Sequence, residues 1–255
     1  MTARAPRSNT SLGCYEDRII PAAEMPSRPP PPYSEHYVLE LPDGDFVQLP
    51  LLPLPDGQHA IVSLCITENS FELEDRLSSA MAELARPLRP DIIVGVPTLG
   101  MVFAASVAKK LGHRHYVPLS YSRKFWFDDT LSVAVNSITT PSQPKQVFID
   151  PRIVDRLRGR RTVLVEDVIS TGTTIAAQLT LMSKLQAKVV GIVTAMQETC
   201  AWIERLGSIN PRYPKLVRSC IRCPLFRRVR GGWAPDWTTL PPGKKFTRKH
   251  LSGAT

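Results

Sequence analysis

Apolar positions recur along this chain with two periods, and the switching between them outlines its elements. Tyr37 to Leu41 and Phe46 to Leu49 are short strand-like runs on either side of Pro42-Asp-Gly-Asp45, which reads as a hairpin turn. A second Pro-Asp-Gly, at 55–57, leads into another strand, Ala60 to Ile66. Asn69 with Glu72 fits a capping box; Leu73, Leu77, Met81 and Leu84 then mark one face of a helix, which Pro87 and Pro90 stop. Asp91 to Val96 is an apolar strand that runs through Pro97-Thr-Leu-Gly100 into a helix ending near Leu111, and His115 to Leu119 is the next strand. Leu131 to Ile138 alternates as a strand, Thr139 to Lys145 is rich in turn formers, and Gln146 to Ile149 pairs back. Thr162 to Val165 is a β-branched run of the kind found in buried parallel strands. Glu166 and Asp167 stand where it should end; then come Ser170-Thr-Gly-Thr-Thr174 and a helix marked by Ile175, Leu179, Met182 and Leu185. Lys188 to Met196 is a further buried strand, closed by Gln197-Glu198.

Strands alternating with helices predict an α/β fold: a mainly parallel twisted sheet, helices on both faces, ligands at the C-terminal strand ends. The hairpin elements before it predict an N-terminal β flap. Residues 1–34, with the polyproline run Pro26 to Tyr33, read as a disordered leader. Residues 35–204 are then the α/β domain with its hairpin, and 205–255 a C-terminal extension.

The stretch from Thr162 to Ile175 carries the chemistry. A helix N-terminus offers unpaired N–H groups and partial positive charge, and small hydroxyl residues around a glycine let a phosphate approach the backbone. Carboxylates beside that turn would repel a bare phosphate but suit sugar hydroxyls, so the ligand implied is a ribose 5-phosphate. An ordinary helix cap by Ser170 or Thr171 is the rival account. Pro97 to Gly100 is a second strand–turn–helix junction open to phosphate, and Arg123-Lys124 puts two cations at the next strand end.

Val163-Leu-Val-Glu-Asp-Val-Ile-Ser-Thr-Gly-Thr-Thr174 resembles the phosphoribosyl-pyrophosphate (PRPP) signature of type I phosphoribosyltransferases. The resemblance implies that Glu166 and Asp167 hold the ribose, that Ser170, Thr171, Gly172, Thr173 and Thr174 anchor its 5-phosphate, and that Thr98, Leu99 and Gly100 bind pyrophosphate through backbone amides. It gives Arg123, and less firmly Lys124, to the pyrophosphate, so that Glu166, Asp167 and Arg123 form the catalytic set. It places Gln197 and Glu198 at the base, where an acid would accept hydrogen bonds from N–H donors. It makes the segment before Gln146 a mobile loop and the flap a hood over the base. The implied reaction is pentosyl transfer from PRPP to a nucleobase with loss of pyrophosphate. The resemblance further implies Mg²⁺ carried by PRPP with no direct protein ligand, and a homodimer. Departures narrow the branch. Ser170 stands where the hypoxanthine–guanine branch has an acid, and residues 125–146 hold one lysine, Lys145, and no glycine, unlike the orotate branch. The pattern from Arg123-Lys124 to Thr139 is similar to the xanthine branch. An adenine- or xanthine-like purine enzyme remains.

Composition changes the picture in two places. The 255 residues, 43% apolar, support a core, and no apolar run spans a bilayer, since Pro97 and Gly100 break the nearest one. With no secretory signal and five cysteines that make no disulfide framework, a cytoplasmic protein is expected. The net charge of +9 lies in the C-terminal fifth, where twelve Lys or Arg from Arg205 onward face one acid, Asp236. Cys220-x-x-Cys223 lacks the second pair a zinc site needs. The basic, Trp-containing extension is read as solvated or docked ahead of nucleic-acid binding. The rival function is a non-catalytic PRPP sensor that binds nucleic acid through that extension.

Overall fold

The structure, a computed structural model, describes residues 15–25, 27–135 and 145–242. Its first strands are β1 (Arg18–Ile20), β2 (His36–Glu40), β3 (Phe46–Pro53) and β4 (His59–Val62), with β3 pairing antiparallel to the other three. Alternation in β3 sends Val47, Leu49 and Leu51 inward. Helix α1 (Phe71–Ala85) follows, capped by Ser70, whose hydroxyl accepts from the Leu73 N–H. The cap stands one residue after the Asn69 expected, because Asp17 of the N-terminal segment bonds the Ser70 N–H and hydroxyl.

The chain then builds β5 (Ile92–Gly95), α2 (Gly100–Lys110), β6 (Val117–Pro118) and the hairpin β7 (Ser132–Val135) with β8 (Lys145–Phe148). Next come β9 (Arg161–Ile169), α3 (Thr173–Lys184), β10 (Lys188–Glu198) and α4 (Ala201–Ile209). Last are β11 (Val217–Cys223), β12 (Leu225–Val229) and β13 (Gly232–Asp236). The core sheet, ordered β11-β10-β9-β5-β6, is parallel throughout. Successive residues of its strands serve opposite faces: Val163 and Val165 join α1, α2 and the flap in one core, while Leu164 joins α3 and α4 in the other. This is the expected α/β architecture. No helix among the described residues is long and apolar enough to cross a membrane.

Both ends of the chain depart from expectation. Residues 15–25 and 27–34, assigned above to a disordered leader, are built into the flap: β1 pairs with β3, and Tyr33 bridges Trp233. At the other end, β11 is an edge strand of the core sheet rather than part of an appendage, and β12 pairs with β4 to extend the flap. The extension docks because Phe226 is fully buried edge-on against Tyr37, with Trp233 buried beside it. Cys220 and Cys223 are buried free thiols. Residues 1–14, the expected loop up to residue 144, and Lys244 to Lys249 lie outside the described residues.

Candidate active site

The site grows out of a mismatch in strand length. Parallel pairing of β5 with β9 stops at Gly95↔Val165, whereas β9 runs on to Ile169 beside β10. Glu166 and Asp167 therefore lie within β9, not at its end as expected, with β10 holding one edge and the 96–100 turn covering the other. Val96 N–H donates to the Val165 carbonyl at 3.0 Å, and the peptide joining Pro97 to Thr98 is cis. The turn then packs directly on the first acid. A Cβ on Gly100 would stand 2.7 Å from Val165 O, 2.9 Å from Glu166 Cα and 3.0 Å from Glu166 Oε1. Only glycine permits that approach. Gly100 is thus brought against Glu166, 66 positions further along the sequence, with the exposed Thr98 and half-buried Leu99 just before it in the turn.

Glu166 is buried, 5% exposed, and Asp167 is half-buried. Burial raises the Glu166 carboxyl well above the ordinary range, and the charge of Asp167 adds to it. A cation or a set of hydroxyl donors beside the pair would reverse that shift. Tyr121, which sequence reasoning missed, feels the same acids: burial raises its phenol first, then the charges of Glu166 and Asp167. Lys145 Nζ sits over its ring, 5.5 Å from the centroid.

Beyond β9, Gly172 takes a left-handed conformation, φ 74°, and starts α3. Being glycine, it brings no capping side chain, so the simple cap by Ser170 or Thr171 does not describe this junction. The nearest hydroxyl, Thr171 Oγ1, lies 3.5 Å from the Thr173 N–H and 3.1 Å from Thr173 Oγ1. Thr171 is exposed; Ser170, Thr173 and Thr174 are half-buried around the same turn.

The remaining expected residues are placed unequally. Arg123 is exposed and engaged in its own loop, with Nε 2.8 Å from Asp129 and a 3.4 Å bond to Phe127 O. Lys124 is exposed. Gln197 and Glu198 are buried at the end of β10, and one oxygen of each lacks a partner among the described residues. Burial pushes Glu198 up to about 8, opposed by a hydrogen bond from the Val62 N–H of the flap. Burial thus favours its protonated form, which can donate a hydrogen bond as well as accept one.

A model of the phosphoribosyl transferase domain matches residues 65–210, more than half of the chain. The chain belongs to the phosphoribosyl transferase domain family. Flap strands β1–β4 and strands β11–β13 lie outside the matched stretch. The chain is 30% identical to the adenine phosphoribosyltransferase of Pseudothermotoga lettingae over 133 residues, 52% of this chain and 69% of that protein. It is 33% identical to the adenine phosphoribosyltransferase of Oenococcus oeni over 112 residues, 44% of this chain and 59% of that one. Across the first four such relatives it spans 55% to 69% of their length. A solved adenine phosphoribosyltransferase of Thermoanaerobacter pseudethanolicus superposes with a TM-score of 0.50 at 20% identity, covering 68% of this chain and 94% of that one, which is a likeness of fold. The family resemblance read from the Val163–Thr174 stretch is borne out.

Proposed function

We propose that this phosphoribosyltransferase-family protein transfers the 5-phosphoribosyl group of PRPP to a nitrogen of a purine base and releases pyrophosphate. The observation that carries the reading is the packing of the Pro97–Gly100 turn on Glu166, one turn of chain before the hydroxyl loop. It puts the turn, the two acids and the hydroxyl loop next to one another, which supports reading them as the sites of pyrophosphate, ribose and 5-phosphate of PRPP.

In the reaction the bond from ribose C1 to pyrophosphate breaks as a bond to the base nitrogen forms, that nitrogen loses its proton to the departing pyrophosphate or to water, and positive charge develops on the ribose in the transition state. Glu166 and Asp167 accept hydrogen bonds from the ribose hydroxyls. Positive charge developing on the ribose is attracted to the carboxylates beside it more strongly than the neutral ribose of bound PRPP is, so the pair favours the transition state. Amides around Ser170 to Thr174 hold the 5-phosphate, and those of Thr98 to Gly100 the pyrophosphate. Arg123 reaches the pyrophosphate by giving up Asp129, and exposed Lys124 beside it is a second cation for the same group. Magnesium is assigned to the oxygens of PRPP, where it would offset the charge of the leaving group.

The relatives' names favour a purine, adenine first. Glu198, whose Oε1 lacks a partner among the described residues and whose burial favours the protonated form, suits a hydrogen bond to a ring nitrogen of such a base. The free thiols Cys65, Cys200, Cys220 and Cys223 support a reducing compartment such as the cytoplasm.

Titration calorimetry with PRPP and magnesium tests the ligand assignment. Wild-type protein binds, and a Glu166→Ala/Asp167→Ala double variant binds at least about tenfold more weakly, the loss of charge-assisted hydrogen bonds. Equal binding by the two would remove the acids from the site.

A further inference from the structure

The Ser170–Thr174 loop contains no cation, yet one is fastened to it. Arg205, exposed on α4, donates from Nε to the Thr171 carbonyl at 2.9 Å. The same stretch of chain supports the loop residues on either side. Thr199 Oγ1 donates to the Ser170 carbonyl at 3.3 Å, and a Cβ on Gly172 would stand 2.9 Å from Trp202 Cβ. Trp202 is itself buried and pinned by Nε1 to the Thr199 carbonyl at 3.1 Å. Three successive loop residues thus rest on Thr199, Trp202 and Arg205, and two of them present carbonyl oxygens to donors.

That arrangement decides where the loop's N–H groups point. In a planar trans peptide the C=O and N–H are antiparallel. With the Ser170 carbonyl turned towards Thr199 and the Thr171 carbonyl towards α4, the Thr171 and Gly172 N–H groups turn away from that side. A guanidinium on a carbonyl oxygen also polarises the peptide and makes its N–H a stronger donor.

Resting on the phosphoribosyl reading above, we propose that Arg205 is a positioning residue for the 5-phosphate of the ligand: by gripping the Thr171 carbonyl it fixes and polarises the amides that bind the phosphate, and adds a positive charge beside a loop that has none. A surface arginine that merely caps a carbonyl would contribute stability only.

The full chain with Arg205→Gln and Arg205→Lys is titrated by calorimetry with three probes: PRPP with magnesium, AMP, and pyrophosphate with magnesium. Both of the first two carry a 5-phosphate on ribose; pyrophosphate does not. Arg205→Gln weakens PRPP and AMP by about tenfold, the scale of one charge-assisted hydrogen bond, and leaves pyrophosphate binding and the melting temperature unchanged. Arg205→Lys, which keeps a cationic donor, recovers part of the loss. Wild-type-like affinity of Arg205→Gln for PRPP and AMP overturns the proposal. So does an equal loss for all three probes with a lowered melting temperature, which marks a structural brace. Failure of the wild-type protein to bind PRPP or AMP at all overturns instead the phosphoribosyl reading on which the proposal rests.

Discussion

A Cβ at position 100 would meet backbone atoms of Val165 and Glu166 at 2.7 Å and 2.9 Å, and backbone does not give way as a flexible side chain does. Gly100→Ala must lift the turn off β9. The expected cost is about 1–3 kcal/mol of stability, the usual range for overpacking, with pyrophosphate affinity reduced. Calorimetry with pyrophosphate and a thermal melt check this, and unchanged values in both would mean that the turn does not hold its ligand through this contact. Glu198 gives a second prediction, in pH. Its folded value, about 8, lies above the ordinary glutamate value. Between the two the unfolded chain is ionised while the folded one keeps its proton. The folded state therefore loses relative stability as pH rises through that window, and has lost the full amount above it. Melting temperature should fall from about pH 5 to about pH 8 in the wild type, and less steeply in Glu198→Gln, by several degrees on the usual scale for a domain of this size. Parallel profiles would remove Glu198 as the source. The acids and the hydroxyl loop are legible in sequence because their chemistry is contiguous. Tyr121 and Arg205 are not. Their meaning comes from pairing across the fold, Arg205 meeting a carbonyl 34 positions earlier, and no local pattern marks an arginine that will find a backbone oxygen.

At the scale of elements, the alternation of apolar periods reveals the core strands and helices well, and their ends poorly. Strand β9 reads as finished at Val165 because carboxylates are poor strand residues. It continues because β10 supplies partners as far as Gln197↔Ile169. Strand β11 escapes detection for the opposite reason: Arg218 and Arg222 interrupt its apolar alternation. In the fold these arginines donate to the carbonyls of Leu84 and Pro241, so their charges do not oppose the strand. The division at residue 204 is consequently not a domain boundary. A chain ending there would lose β11, expose the edge of β10 and strip the flap of β12 and β13. Such a truncation should aggregate or fail to melt cooperatively, as circular dichroism and size-exclusion chromatography would show. A soluble 1–204 fragment with a sharp transition would contradict the placement of these strands.

For the whole molecule, the concentration of positive charge after Arg205 takes on a different meaning once folded. Arg205, Arg218, Arg222 and Arg228 each give an N–H to a backbone carbonyl, of Thr171, Leu84, Pro241 and Gly57 respectively. These four cations of the basic extension are ties: Arg218 joins β11 to α1, Arg228 joins β12 to the flap, Arg222 joins β11 to the residues after β13, and Arg205 joins α4 to the Ser170–Thr174 loop. The molecule is then one α/β body, with the proposed site where β5 and β9 part company and a flap built from segments near both ends of the chain. The most direct test of that account is pyrophosphate release from PRPP and magnesium with adenine, guanine, hypoxanthine, xanthine and orotate in turn, beside the Glu166→Ala/Asp167→Ala variant. Release with a purine, foremost adenine, and its loss in the variant is the predicted result. PRPP binding without release for any base would contradict it and point to a protein that senses PRPP rather than one that consumes it.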